Sequence, residues 1–263
     1  AIASELSSKI YDLNILKRNI QDDKDNTTRF ILFGKEIFEP EIEDKKYITS
    51  LLFKLKSKPA ALYSALSGFG KIKIIDFDFV EASNLQRQIL FDENDLSKNK
   101  ATTSVKKLSQ LNPFVELTGL EEKVDSANIE YLLRDSEIIL DCSDNFETRR
   151  YTNNYCYKNK IPLISGSCIQ WKGQLMKFDF QNGSACYECL FEDTSSEDLS
   201  CTESAIFSPI VGIIGSMLAS ESIKTITKIS KNCQIFHDYD FKDNLSREIS
   251  FKKNNQCKIC GKC

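Results

Sequence analysis

Two cysteine pairs carry the most specific chemistry in this sequence. Cys186-Tyr-Glu-Cys189 and Cys257-Lys-Ile-Cys260 can each place two thiolates on one ion. Together they complete a closed tetrahedral four-cysteine site of the kind that holds Zn2+. A closed site has no open coordination position, so its expected role is structural, tying the C-terminal segment back to an internal loop. Cys263 is a competing ligand. Buried free thiols are the alternative, common for single cysteines and less so for two pairs at matching spacing.

A second constellation runs Asp76-Phe-Asp78, Ser83-Asn84-Leu-Gln-Arg87-Gln88 and then Lys100. An acidic residue at the end of a strand can accept hydrogen bonds from ribose hydroxyls. Arg87 with its planar fork and Lys100 as a point charge could clamp phosphates. A third, Asp141-Cys-Ser-Asp144-Asn145, closes an apolar run, and Asp144 there could hold Mg2+ against phosphates. Each group also has a plainer reading. Asp144 could cap the helix expected at 144–159, and Arg or Lys is usually a solvated face. A fourth, Ser200-Cys201-Thr202-Glu203, lies in a polar loop before an apolar helix. A thiol near a helix N-terminus can have a lowered pKa and be nucleophilic; an incidental surface cysteine is the alternative. Cys142, Cys156, Cys168 and Cys233 sit within apolar patterns and read as small core residues.

The elements that must position these groups follow from periodicity. Strands are expected at 71–76, 115–120, 136–142 and 161–166, with helices at 98–111, 126–134 and 144–159 between them. This alternation predicts an α/β fold with a mostly parallel, Rossmann-like sheet and helices on both faces. An antiparallel strand at 173–180, a cysteine-bearing loop, an apolar helix at 206–228 and a pair of strands follow. Upstream, residues 2–12 read as a short helix, 28–33 and 47–55 as strands, and 59–68 as a helix opened by Pro59.

Composition narrows the function classes. The 263 residues are 41% hydrophobic and 28% charged, with a net charge of −3. That suits one or two globular domains and offers no basic field for nucleic acid or acidic lipid. No apolar run approaches the ~20 residues needed to span a bilayer. The N-terminal residues do not read as a signal peptide, because Glu5 and Lys9 interrupt any apolar core. Ten cysteines without an export signal point to a reducing compartment, the cytoplasm, and to metal rather than disulfides. A single histidine, His237, argues against a His-based triad or a multi-His metal centre.

From about residue 68 to 263 the chain resembles the ThiF/MoeB/HesA group of adenylyltransferases, relatives of ubiquitin-activating enzymes. The resemblance rests on "GKIKIIDFDFVEASNLQRQILF", "KLSQLNP", "IILDCSDNFETRRYTNNYC", "IPLISGSCIQWKGQL", "CYECLF", "SCTESAIFSPIVGIIGSMLASESIK" and "CKICGKC", in family order. It implies adenylylation by Mg·ATP of the C-terminal Gly carboxylate of a small ubiquitin-like sulfur carrier ending in Gly-Gly, with sulfur then accepted by the acyl adenylate. It implies that Asp76 binds ribose and that Asp78, Asn84, Arg87, Gln88 and Lys100 handle phosphates and the transition state. Asp144 would hold Mg2+, and Cys186, Cys189, Cys257 and Cys260 would bind structural zinc. Cys201 would form a covalent sulfur link to the carrier. Members are typically homodimers.

Upstream the resemblance changes. The G-x-G-G-x-G phosphate loop of that family is not found here. Residues 1–46 instead resemble the end of the prephenate dehydratase catalytic domain, with Thr28-Arg29-Phe30 as the matching motif. Residues 47–67 resemble the first strand and helix of its regulatory ACT domain. The chain therefore reads as a join near 67–71, in which strand 47–55 and helix 59–68 replace the first βα unit. Leu55-Lys56-Ser57-Lys58-Pro59 puts side chains where glycines would bare backbone N–H groups, and Pro59 removes a donor. Impaired ATP binding is expected. Other readings are a non-catalytic zinc-bound carrier-binding module, a dehydratase remnant, and, weakest, an NAD oxidoreductase, for which no G-x-G-x-x-G exists.

Overall fold

The computed structural model describes residues 69–180, 183–191, 206–229 and 232–261. The readings for 1–67, for Cys201 and for Cys263 lie outside the described residues.

Strand β1 (Lys71–Ile75) alternates half-buried lysines with buried isoleucines before ending in a fully buried pair. A short helix α1 (Ala82–Leu85) and a 3-10 turn at Glu93–Asp95 lead to α2 (Lys100–Leu111) and β2 (Glu116–Leu120). The chain continues through α3 (Ile129–Leu132), β3 (Ile139–Asp141), α4 (Phe146–Asn159) and β4 (Leu163–Ile169). Then come β5 (Lys172–Phe178), a 3-10 turn at Tyr187–Cys189, α5 (Ser208–Ile226), β6 (Gln234–Asp240) and β7 (Leu245–Glu248).

The described strands form two sheets. β1 pairs parallel with β2 across the α2 crossover, Lys71 opposite Glu116 through Ile75 opposite Leu120. The second sheet has the order β3-β4-β5-β6-β7. It is parallel where α4 intervenes, between β3 and β4, and antiparallel from β4 onward. The reversal follows from chain length, since Gln170 and Trp171 alone join β4 to β5 and a parallel return needs a long crossover. Gln170 makes the turn with a left-handed φ of 51°. The mixed α/β architecture expected from the sequence, parallel first and antiparallel after, is thus present.

Strand alternation divides the core. Ile72 and Ile74 pack with Leu140, Ile164, Leu175, Ile214 and Leu218. Ile75, Ile139, Leu163, Met176 and Phe178 pack with Tyr187 and the cysteines Cys186, Cys257 and Cys260. Each fully buried Ile or Leu contributes about 1.5–3 kcal/mol. Helix α5 lies flush on β4, because a Cβ on Gly166 would stand 2.6 Å from Leu218 Cδ1. Within this apolar contact Lys177 and Glu221, both buried, form an ion pair at 3.2 Å, and Lys224 also reaches Glu221.

Three local expectations are corrected. Helix α3 is shorter than 126–134, because the Asp125 carboxylate takes the N–H groups of Ala127 and Asn128 at 2.8 and 3.0 Å, and Asp135 turns left-handed at φ 64°. Asn145, not Asp144, caps α4, its Oδ1 accepting from Thr148 N at 2.8 Å. Cys142 and Cys156 are buried as expected, but Cys168 is only partly so and Cys233 is exposed. Among the described residues no helix is long and apolar enough to cross a membrane.

Candidate functional site: a strand-end polar cluster and a four-cysteine centre

Asp76 prolongs the β1–β2 ladder by donating its N–H to Leu120 O at 3.0 Å. The residue is buried, and its Oδ1 accepts from Asp78 N at 2.9 Å. Asp78 is half exposed and pairs through Oδ2 with Lys100 Nζ at 3.2 Å, while the Lys100 side chain is 8% exposed. The Lys100 N–H also donates to Asp78 O at 2.9 Å. The structure therefore brings Asp76, Asp78 and Lys100 together by direct bonds. Asn99 fastens them. Its Nδ2 donates to Asp76 O at 3.0 Å and Asp78 O at 3.3 Å. Its Oδ1 caps α2 by accepting from Ala101 N at 2.8 Å and Thr102 N at 3.2 Å. Sequence reasoning missed Asn99, although an Asn just before a periodic helix is a cap signal.

Asn84, Arg87 and Gln88 form a second knot. Asn84 O accepts from Arg87 N at 3.1 Å and from Gln88 N at 2.9 Å. Asn84 Oδ1 accepts from Glu81 N at 3.4 Å. Gln88 is fully buried. Arg87 Nη1 donates to Ser83 O at 2.8 Å. Its Nε is buried with no hydrogen-bond partner. Burial pulls the Arg87 guanidinium below its ordinary pKa, and Glu81 opposes the shift.

Asp144 is exposed just past β3, with Asn145 Nδ2 3.4 Å from its Oδ1. The loop that carries it is held by Arg149, a buried residue that sequence reasoning passed over. Arg149 Nη1 donates to Ser165 Oγ at 2.7 Å. Its Nη2 donates to Gly166 O at 3.3 Å and also to Ser143 O. Nothing in the sequence separates Arg149 from its half-exposed neighbour Arg150.

All four cysteines of the paired motifs meet. Their Sγ atoms lie within 4.8 Å of one another. Cys186 and Cys257 are 3.7 Å apart, and Cys189 and Cys260 3.1 Å. Tetrahedral Zn–S bonds of about 2.3 Å imply S···S distances of about 3.8 Å, so the first pair stands at that spacing and the second is tighter. Asn254 N points at Cys189 Sγ, 3.4 Å away, as backbone donors do around thiolate ligands. A Cβ on Gly261 would fall 2.5 Å from Asn255 O and 2.6 Å from Cys257 N, so the second knuckle admits only glycine there. Burial, followed by the neighbouring Cys189 and Cys257, pushes the Cys186 thiol up to about 12, and burial raises Cys260 as well. Burial acts on Cys257 too, but N–H donors from Cys260 and Ile259 draw it below its ordinary value. Four thiolates this close need a cation to ionise together, and the donor set fits Zn2+. Helix α4 grips the first knuckle. Arg150 Nε meets Glu188 Oε2 at 3.2 Å, and Asn153 Oδ1 accepts from Tyr187 N at 2.9 Å.

Comparison with known proteins adds the following. The ThiF family matches residues 58–259, beginning upstream of the boundary near 68 expected from the sequence. The prephenate dehydratase family matches residues 1–37. The molybdopterin-synthase adenylyltransferase of Escherichia coli (strain K12) is 34% identical over 203 residues, covering 77% of this chain and 82% of that protein. The sulfur carrier protein ThiS adenylyltransferase of the same strain is also 34% identical, over 77% of this chain and 81% of its own length. Among solved structures, E. coli MccB with ATP shares the fold at a TM-score of 0.72 and 21% identity, covering 82% of this chain and 67% of that one.

Proposed function

This chain belongs to the ThiF family, and from that premise we propose that it adenylylates the C-terminal glycine of a small ubiquitin-like sulfur carrier at the expense of Mg·ATP. The observation that carries this reading is the Asp78–Lys100 pair, held at 3.2 Å at the carboxyl end of β1, the edge at which open α/β sheets receive ligands. The 34% identity to two adenylyltransferases supports it.

In the reaction a carrier carboxylate oxygen attacks the α-phosphorus, the bond to the β-phosphate breaks, and pyrophosphate leaves. The attacking carboxylate is already ionised near neutrality, so no general base is required. Lys100 and Arg87 stabilise the negative charge that spreads over the α-phosphate, with Asn84 and Gln88 bonded beside Arg87. Asp78 orients Lys100, and Asp76 stands at the strand end for the ribose. Asp144, exposed and flanked by Asn145, is the carboxylate for Mg2+. The four-cysteine centre holds Zn2+ as a structural ion. In the sulfur step a persulfide donor would displace AMP from the carrier's acyl adenylate, the Cys201 thiol would then take over the resulting disulfide by releasing the donor thiol, and the protein would act as a homodimer in a reducing compartment such as the cytoplasm. The product pathway is thiamine or molybdopterin sulfur transfer.

The sequence has no G-x-G-G-x-G motif, and in this reading ATP binds more weakly, because such glycines bare the backbone donors that cradle phosphates. ATP–pyrophosphate exchange with a Gly-Gly-ended carrier is the test. Exchange that is abolished in Lys100→Ala supports the proposal, and its strength measures how far the loop is dispensable. Carrier capture without exchange at any ATP concentration would favour the second reading, a non-catalytic zinc-bound carrier-binding module, for which Pro59 in place of a phosphate-loop donor is the specific motive. Prephenate turnover would be needed to revive a dehydratase role.

A further inference from the structure

We infer that Asn99 is a positioning residue for Lys100: one side-chain amide locks the carboxyl end of β1 to the first turn of α2 and so sets where the Lys100 ammonium stands. Its consequence for nucleotide binding rests on the adenylylation reading; the lock itself does not.

Asn99 is buried and uses both ends of its amide. Nδ2 bridges two carbonyls, Asp76 O at 3.0 Å and Asp78 O at 3.3 Å. Oδ1 takes two helix N–H groups, Ala101 at 2.8 Å and Thr102 at 3.2 Å, and Thr102 Oγ1 at 3.4 Å. An ordinary N-cap does only the second job. The first job joins the helix to the two residues whose carboxylates define the site. Around it the backbone closes a short ladder: Lys100 N donates to Asp78 O at 2.9 Å, Val80 N to Lys98 O at 2.8 Å and Ser97 N to Val80 O at 2.9 Å. Lys100 is the residue directly after this lock, and its long stem has four rotatable bonds to order. Fixing both its backbone and the Asp78 backbone leaves the 3.2 Å ion pair as the favoured rotamer. A cap residue lacking the amide N–H, such as Ser, Thr or Asp, would hold the helix but lose the bonds to Asp76 O and Asp78 O, leaving the Lys100 N–H on Asp78 O as the remaining tie to the strand end.

Asn99→Ser separates the two jobs, since the hydroxyl can still cap α2 while the donor to Asp76 and Asp78 is lost. Asn99→Asp is the second such variant. Competitive acylation under limiting reagent, read by peptide mass spectrometry, reports how freely the Lys100 amine moves. In the wild-type protein Lys100 should label far more slowly than the exposed Lys98. Loss of one hydrogen-bonding donor should raise Lys100 labelling about tenfold relative to Lys98, with a change in melting temperature of only a few degrees. Binding of a fluorescent ATP analogue should weaken by a similar factor. Asn99→Ser placed on Lys100→Ala should then cost no further affinity, because the residue acts through the lysine. An unchanged Lys100 labelling rate in folded Asn99→Ser or Asn99→Asp overturns the inference, as does fast Lys100 labelling in the wild type. If the wild-type protein binds no nucleotide, the adenylylation reading fails, and the labelling ratio still decides the lock.

Discussion

With Zn2+ in the four-cysteine centre as proposed, stripping the metal should lower the melting temperature by an amount that can be worked out beforehand. An ion held at 100 to 1,000 times its dissociation constant stabilises by about 2.7 to 4.1 kcal/mol. Unfolding entropy near the midpoint is about 2.1 cal/mol/K per residue, or about 0.4 kcal/mol/K for the roughly 175 residues described. The quotient is a fall of about 6–10 °C. The structure says why the loss is not local. Cys186, Cys257 and Cys260 are themselves core residues, packed with Phe178 and Tyr187, and the site ties residues 71 positions apart in the chain. The assay is a thermal melt before and after dialysis against a strong chelator, with metal content by plasma mass spectrometry and restoration by added Zn2+. Cys260→Ser should reproduce the chelated melt and abolish the restoration. A protein that purifies without stoichiometric metal, or whose melt ignores a chelator that has removed the ion, would refute the reasoning.

Further expectations follow from burial. Exposed Cys233 should be alkylated quickly in the native protein while the buried Cys142 and Cys156 stay protected; equal labelling by peptide mapping would contradict the core assignment. Burial raises the Cys142 thiol and pushes the Tyr187 phenol up to about 12. A raised acid gives its full stabilisation below its unfolded pKa and loses it as pH climbs through the folded value. Stability should therefore decline above the ordinary thiol value of 9.0, more shallowly in Cys142→Ala, as read by denaturant melts across alkaline pH. Glu221→Ala strands Lys177 in the core and should cost about 3–5 kcal/mol, whereas Lys177→Met with Glu221→Leu should recover most of it. Gly166→Ala meets Leu218 Cδ1 at 2.6 Å and should cost about 1–3 kcal/mol through overpacking; an unchanged denaturation midpoint would show that α5 can lift away freely.

What the sequence revealed, and what it hid, follows the range of each interaction. β3 and the start of β4 were legible because they are apolar and bury on both faces, and β1 because its lysines alternate with buried isoleucines before a buried pair. The four cysteines were legible because each C-x-x-C places two ligands by local geometry, leaving only the partner pair to tertiary structure. Asp76, Asp78 and Lys100 were legible as strand-end and helix-start residues of one βα unit. The misses are tertiary or competitive. Asn99 caps locally, yet its second pair of bonds reaches back more than twenty residues to β1. Arg149 and Arg150 are adjacent and alike, but α4 turns the first to β4 and the second to Glu188. The start of α3 moved because a carboxylate at Asp125 claimed the N–H groups that a helix pattern alone would assign to the backbone.

Helix α4 links the two chemistries physically. Its first turn carries Asn145 as cap, next to Asp144, and Arg149, which pins the Ser143 carbonyl to β4. One turn on, Arg150 and Asn153 hold Glu188 and the Tyr187 N–H, the two residues between the first pair of zinc-type ligands. A helix is stiff over such a distance, so disorder at the knuckle must either break the Arg150–Glu188 and Asn153–Tyr187 bonds or be carried into the loop that bears Asp144. The first outcome separates a purely structural metal from the site and the second does not. Glu188→Gln distinguishes them, because it removes the charge of the Arg150 pair and leaves all four cysteines. A loop that depends on this pair should show faster amide hydrogen exchange at residues 143–145 in Glu188→Gln, with metal content unchanged. Unchanged exchange there, beside faster exchange at 187–191, would mean that the bonds of Arg149 to Ser143, Ser165 and Gly166 hold the loop without help from the Arg150–Glu188 pair.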